Sequence, residues 1–457
     1  MSVATQQDMN ADPDRAWSPY EPDAERPWTK RLAAHLYRRA AFGATWEQLE
    51  QAVSSGPQAT VTRLLQPDAD VAKFNQSVDE YEEGVSKSGN LESLRAWWLR
   101  RMIETPHPLL EKMTLFWHGH FGVSNVRVAS PLLMARHLSM LREYALADYR
   151  PMLSRVANDP AVFLALDAGS NRRALPNETL ARQFLDALAM GPGTYGDEDV
   201  RETARAFTGW FVLRGSLRFF PREHDDGEKN VLGEKGNWTA EDVVRIVLDR
   251  PATPQLLVRK FYRFLVSEAE PPGDELLEPL ATSFASDYNV PKVLEIMLRS
   301  NIFYSPTAYR QRIKSPVDLA VGLIRALEGS VPTLQLGKDL GELGQSLYEP
   351  PTPKGWPGGR HWINSATLVG RQNLVQSMLA PKGPYKGKLD PLRVVQKQGR
   401  KTTESVTGFL AELLLQDDLP NASRKALVEA TPGKNATSSW VREMVYGFAT
   451  LPEFQMS

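Results

Sequence analysis

From Trp28 to the C-terminus, stretch after stretch of this chain places apolar side chains three or four residues apart, then stops on glycine, proline or a cluster of turn formers. That period marks helices with one buried face. "TKRLAAHLYRRAAFG" sets Leu32, His35, Leu36 and Arg39 on neighbouring turns and ends at Gly43. In "TWEQLEQAV", Thr45 and Gln48 form a capping box that opens a second helix. "NETLARQFLDALAMG" starts on Asn177 and stops at Gly191. "DEDVRETARAFTGW" gathers acids in its first turn, where the helix dipole favours them. The same spacing predicts helices at 91–105, within 106–122, and at 131–149, 240–249, 252–267, 273–287, 290–299, 315–328, 336–347, 361–379, 403–416, 420–430 and 437–450. Only "FVLRGSLRFFPREHDDGEKNVLG" alternates, around Leu213, Leu217 and Phe219, which predicts one short β-hairpin near 211–232. The expected fold class is therefore mainly α, a large multi-helix bundle-like domain with that single hairpin.

A chain of 457 residues suits about three ordinary domains or one large helical one. Breaks in the pattern divide it into a mobile N-terminal arm (1–27), a helical core domain (28–380) carrying the site, a basic Gly/Pro-bearing linker (381–402) and C-terminal helices (403–457) packing on the core. Residues 68–90 are polar, with "SKSGN" marking a loop. Lys+Arg is 54 and Asp+Glu is 55, a formal charge of -1, so there is no general attraction to nucleic acid or an anionic membrane, only room for a local basic patch. Cysteine is absent, which excludes disulfides, thiolate metal sites and a Cys nucleophile. The start of the chain has no basic segment followed by an apolar run, and no stretch is long and apolar enough to span a membrane. Cytoplasm is the expected location.

Three stretches can carry chemistry. "FWHGHF" puts His118 and His120 two positions apart among aromatics, in a chain with only seven His. That spacing suits a strand, or a helix end broken at Gly119, with both imidazoles converging on one metal. The alternative is two buried rings, each bonded to a backbone carbonyl. "HDDGEK" (224–229) brings a base, carboxylates and a cation together, or is simply a solvated hairpin turn. In "NETLARQFLD", Glu178, Arg182 and Asp186 share a helix stripe that is either a surface ion-pair ladder or faces a cavity. His35 reads as a core histidine, and "PPTPKGWPGGRHWIN" (350–364) as a rigid packed loop that can wall a pocket. No Walker loop, Rossmann fingerprint, HExxH or GxSxG motif occurs.

"HLYRRAAFGAT", "EKMTLFWHGHF", "PNETLARQFLDALAMG", "DVRETARAFTGW", "HDDGEKNVLG", "VRKFYRFLV", "KSPVDLAVGLIRAL", "PPTPKGWPGGRHWINSATLVGRQN" and "LPEFQ" occur in the order found in the bacterial family called domain of unknown function 1800, which the chain resembles from about Trp28 to Gln455. The resemblance implies a mostly helical fold without an established activity. It also implies a partner from the family called domain of unknown function 1501, itself similar to the alkaline-phosphatase or sulfatase superfamily; many members look exported. The family's motif positions fall here at His118, His120, Asn177, Glu178, His224, Asp225, Gly227 and Lys229. The chain departs from the family at Gln183, where a Glu is usual, and at Leu188, where an aromatic or His is common.

Polar side chains interrupting apolar segments must be compensated. A shared metal would do so, and His118, His120, His224 and Glu178 form an N/O donor set suited to Zn, Fe, Mn or Cu. The expected function is a metal-dependent enzyme, a hydrolase or oxidoreductase. In it Glu178 serves as ligand or base, Asp225 orients His224, and Arg182 and Lys229 bind an anionic group. The alternative is a non-catalytic helical scaffold that binds a partner, with these residues in a buried hydrogen-bond network.

Overall fold

The computed structural model describes residues 12–67, 71–269, 271–433 and 435–457. Among them are twenty-four α-helices and two small antiparallel hairpins, so the chain is mainly α. Helix ends follow the local chemistry. Thr45 and Gln48 close the expected capping box at the head of Trp46–Leu65, and Asn177 accepts from Leu180 N–H at the head of Glu178–Gln183. Pro108, Pro131, Pro316 and Pro391 each stand in a first turn, where their missing N–H costs nothing.

Apolar faces from Ala16 to Phe454 meet in one continuous core. Pro108–Phe121 runs through its centre, with Met113, Trp117 and Phe121 buried. Leu91–Glu104, Pro131–Tyr144 and Ala252–Leu265 surround it. Ser438–Thr450 packs across Ser365–Leu379, tying the C-terminal helices to the body. No helix of the described residues is long and apolar enough to cross a membrane.

Four local expectations are corrected. Residues 12–27 are not a loose arm. Pro13–Trp17 is a helix, Trp17 Nε1 donates to Leu276 O at 2.6 Å, and Tyr20 is buried; residues 1–11 lie outside the described ones. The polar stretch before the "SKSGN" turn, for which no helix is expected, contains the helix Val71–Lys87, whose Val78 and Val85 reach the core. The stretch read as a linker contains the helix Pro391–Lys397, with Tyr385, Leu389, Val394 and Val395 buried. The single expected hairpin is two: Trp210–Leu213 with Ser216–Phe219, and Lys229–Val231 with Glu234–Gly236.

Candidate active site

The helix Pro108–Phe121 does not break at Gly119; it runs on to Phe121 and is capped by Gly122 in the left-handed region (φ 60°). Two residues along a continuous helix turn about 200°, so His118 and His120 face opposite ways. His118 Nε2 accepts the Tyr348 N–H at 3.1 Å, and its ring meets those of Trp98 and Trp356. Burial holds its pKa down at about 3, so the ring is neutral. His120 stacks on Phe116 one turn back and hydrogen-bonds Leu188 O through Nε2 at 3.2 Å. A carbonyl only accepts, so the ring proton sits on Nε2 and Nδ1 is left as an acceptor.

That acceptor meets Lys260. Lys260 Nζ lies 2.8 Å from His120 Nδ1 and donates to Ala187 O at 3.2 Å. Ala187 and Leu188 belong to the last turn of a helix that begins at Glu178 and widens into a π-turn at Phe184–Ala189. Its terminal carbonyls lack helical partners and carry the negative end of the dipole, so they suit an ammonium and an imidazole N–H. Tyr149 Oη also donates to Leu188 O, at 2.9 Å. Burial pushes the Lys260 amine down to about 8, with Asp186 opposing and Lys354 assisting. Burial, then the Lys260 charge, holds His120 well below its ordinary value. The π-turn also places Asp186, which pairs with Lys354 at 3.0 Å rather than continuing a stripe with Arg182.

Lys260 and His120 line a cleft of about 430 Å³. Phe116, Phe264, Trp356 and Trp362 supply apolar walls, and Lys260, Arg263, Arg312 and Lys354 outnumber Glu268 and Asp318. Arg312 is buried, lies over the Phe264 ring and pairs through Nε with Glu268 at 3.6 Å, while Nη1 keeps no hydrogen-bond partner among the described residues. The "PPTPKGWPGG" loop walls this cleft from one side, and its Pro350–Pro353 end walls a second cavity of about 450 Å³ that includes Gln183 and Leu188. The loop is seated by close backbone approach: a Cβ on Gly355 (φ +77°) would stand 2.1 Å from Gly119 O, and one on Gly122 would stand 2.2 Å from Pro353 O. Only glycine fits there. His118, gripping Tyr348 N–H, fastens the same segment from beneath.

The remaining residues singled out from the sequence lie elsewhere. Glu178 is exposed. Arg182 makes a surface ion pair with Asp197 at 2.8 Å. His224 Nδ1 bonds Thr208 O at 2.9 Å, so the ring is oriented by backbone and not by Asp225. Asp225 instead takes two bonds from Arg205, at 2.8 and 3.1 Å, plus the Gly227 N–H, and this holds its carboxyl down at about 2. Lys229 is buried and donates to Gly227 O and Asn237 Oδ1, fixing the second hairpin. The expected quartet of His118, His120, His224 and Glu178 is therefore not gathered round one point. Among the described residues no three His, Asp or Glu side chains are grouped as metal donors. His35, bonded to Phe303 O at 2.9 Å, is the expected core histidine.

Sequence reasoning singles out neither Lys260 nor Arg312 as a reactive or recognition residue. For Lys260 a signal existed: it stands four residues before Phe264 and next to Phe261 in an amphipathic helix, at the edge of the apolar face. No curated protein and no solved structure matches the chain. Residues 35–456 match the family described as "Protein of unknown function (DUF1800)", and the chain belongs to it.

Proposed function

We propose that this chain is an enzyme acting on a small anionic substrate, with the Lys260 amine as general base and His120 as its positioning residue. One observation carries the reading. Lys260 Nζ turns two hydrogen bonds inward, to His120 Nδ1 at 2.8 Å and Ala187 O at 3.2 Å, at the wall of a cleft rich in cations. A tetrahedral amine held by two acceptors keeps its third position for a ligand. In the neutral amine that position is the lone pair, and a group titrating near 8 is roughly one-tenth neutral at pH 7. On taking a proton, the ammonium would keep both inward bonds and direct the new N–H at the substrate. Arg312 and Arg263 suit the substrate's anionic end, and the aromatic walls exclude water from it.

The test is thermal unfolding of the full chain with inorganic phosphate, acetate or pyruvate. A ligand at about 100 times its Kd adds about 2.7 kcal/mol of stability. At least one of these anions should stabilise the wild type and leave Lys260→Met and Arg312→Gln unmoved. Equal responses in all three proteins, or none in the wild type, would overturn the reading. A scaffold is the second reading, favoured by the buried charges of Glu111, Arg101 and Arg142, which pair with one another and with neighbouring side chains. It predicts no anion-dependent stabilisation through Lys260.

A further inference from the structure

The chain's charge is nearly balanced, yet residues 210–222, "WFVLRGSLRFFPR", hold three arginines and no carboxylate. The register of the first hairpin sets Trp210, Val212, Leu217 and Phe219 on one face and Phe211, Leu213, Ser216 and Arg218 on the other. Trp210, Val212 and Leu217 pack on the core. The second face turns outward except at Phe211, which is buried, and Phe219 at the edge of the first face is 41% exposed. Leu213 is 40% exposed, and so is Phe220, whose ring sits edge-on to Phe211 at 5.1 Å. Leu175 closes the adjoining turn and is 79% exposed; the Arg172 guanidinium of that turn covers the Phe211 ring at 5.2 Å. Arg172 occupies Glu223 at 3.0 Å, so that carboxylate does not neutralise the hairpin. Among the described residues Arg214, Arg218 and Arg222 make no ion pair, and all are exposed.

We infer that this face docks on the anionic surface of a lipid bilayer. The arginines meet the lipid phosphates, and Leu213, Phe220 and Leu175 enter the boundary between headgroups and acyl chains. Charge complementarity selects the occupant. A second copy seated here by two-fold symmetry would set the three unpaired arginines against themselves. A nucleic acid would satisfy the arginines but leave Leu213 and Leu175 no apolar partner. Arginine stems can cover apolar surface while their heads stay at the phosphates, so both halves of the patch act at one depth.

The test is sedimentation of the full chain with vesicles of phosphatidylcholine, alone or mixed with phosphatidylglycerol. Binding to the anionic vesicles should weaken steeply with salt, and plain phosphatidylcholine should bind far less. Replacing Arg214, Arg218 and Arg222 by Gln should lower the partition coefficient about 100-fold. Leu213→Ser with Phe220→Ser should lower it while retaining the salt dependence. Unchanged thermal unfolding of both variants shows that folding is not the cause. The inference is overturned if anionic vesicles do not bind, if the triple variant binds like the wild type, or if the same arginines hold DNA more tightly than vesicles. It is also overturned if the wild type is a dimer that the triple variant dissolves.

Discussion

The two ends of the helix Pro108–Phe121 bury charge and near-charge in opposite ways. At its start, Glu111 is fully buried and accepts from Trp98 Nε1 at 2.9 Å, Arg101 Nε at 2.5 Å and Arg142 Nε at 2.9 Å. Burial alone would push its carboxyl up; Arg142 and Arg101 more than offset that and hold it below the ordinary range. Lys112 beside it is closed off by Asp318. At the other end, His120 holds a lysine whose remaining position faces a cleft. Burial by itself therefore does not mark a working site. What separates the ends is whether every donor and acceptor is already matched inside the protein.

Substitutions at either end test that contrast. The largest effect belongs to Lys260→Met: loss of a general base lowers turnover by about 10²–10⁴. Its melting temperature should hold or rise, because a desolvated amine has been removed. If Lys260→Met unfolds the chain, the amine is a structural group like Glu111 and the contrast fails. Glu111→Ala strands two buried guanidiniums and should cost about 3–5 kcal/mol in urea unfolding. A cost below about 1 kcal/mol would mean that this end is not closed.

Burial also gives stability a pH dependence. The amine of Lys260 is lowered to about 8 in the fold, against 10.5 when unfolded. Between those values the unfolded chain binds the extra proton, so this group makes stability rise with pH through that window. Lys112 is also lowered to about 8, by burial, and contributes the same sign. Stability of the wild type relative to Lys260→Met, followed by urea unfolding from pH 7 to pH 11, isolates the Lys260 share. A flat difference would contradict the burial of its charge. The smallest effect is expected at the partly exposed Arg205–Asp225 pair. Asp225→Asn should cost about 1 kcal/mol and leave anion binding at the cleft untouched.

The helices were legible because apolar spacing and caps are local properties. Thr45, Asn177 and Pro108 announce helix starts without reference to anything distant. Val71–Lys87 and Pro391–Lys397 were missed because their segments are polar, and only docking of Val78, Val85, Val394 and Val395 onto the core makes them helices. Of the candidate site, the sequence supplied His120 and the loop around Trp356. It could not pair Lys260 with His120, which lies 140 positions away and is reached only through tertiary packing. The pair His118 and His120 misled because the spacing was read as convergence. Gly119 carries the helix on, and the turn angle separates the rings. His224 and Asp225 misled in another way: adjacent in sequence, they bond to Thr208 and Arg205 instead of to each other.

The proposed function needs Lys260 to be a desolvated amine open to anions. Competitive acylation of the native chain across pH 6 to 11, with the modified lysines read by mass spectrometry, measures this directly. Half-maximal reactivity of Lys260 is expected near pH 8, with protection by the anion that stabilises the fold. Titration near the ordinary lysine value with no protection by any anion would contradict it.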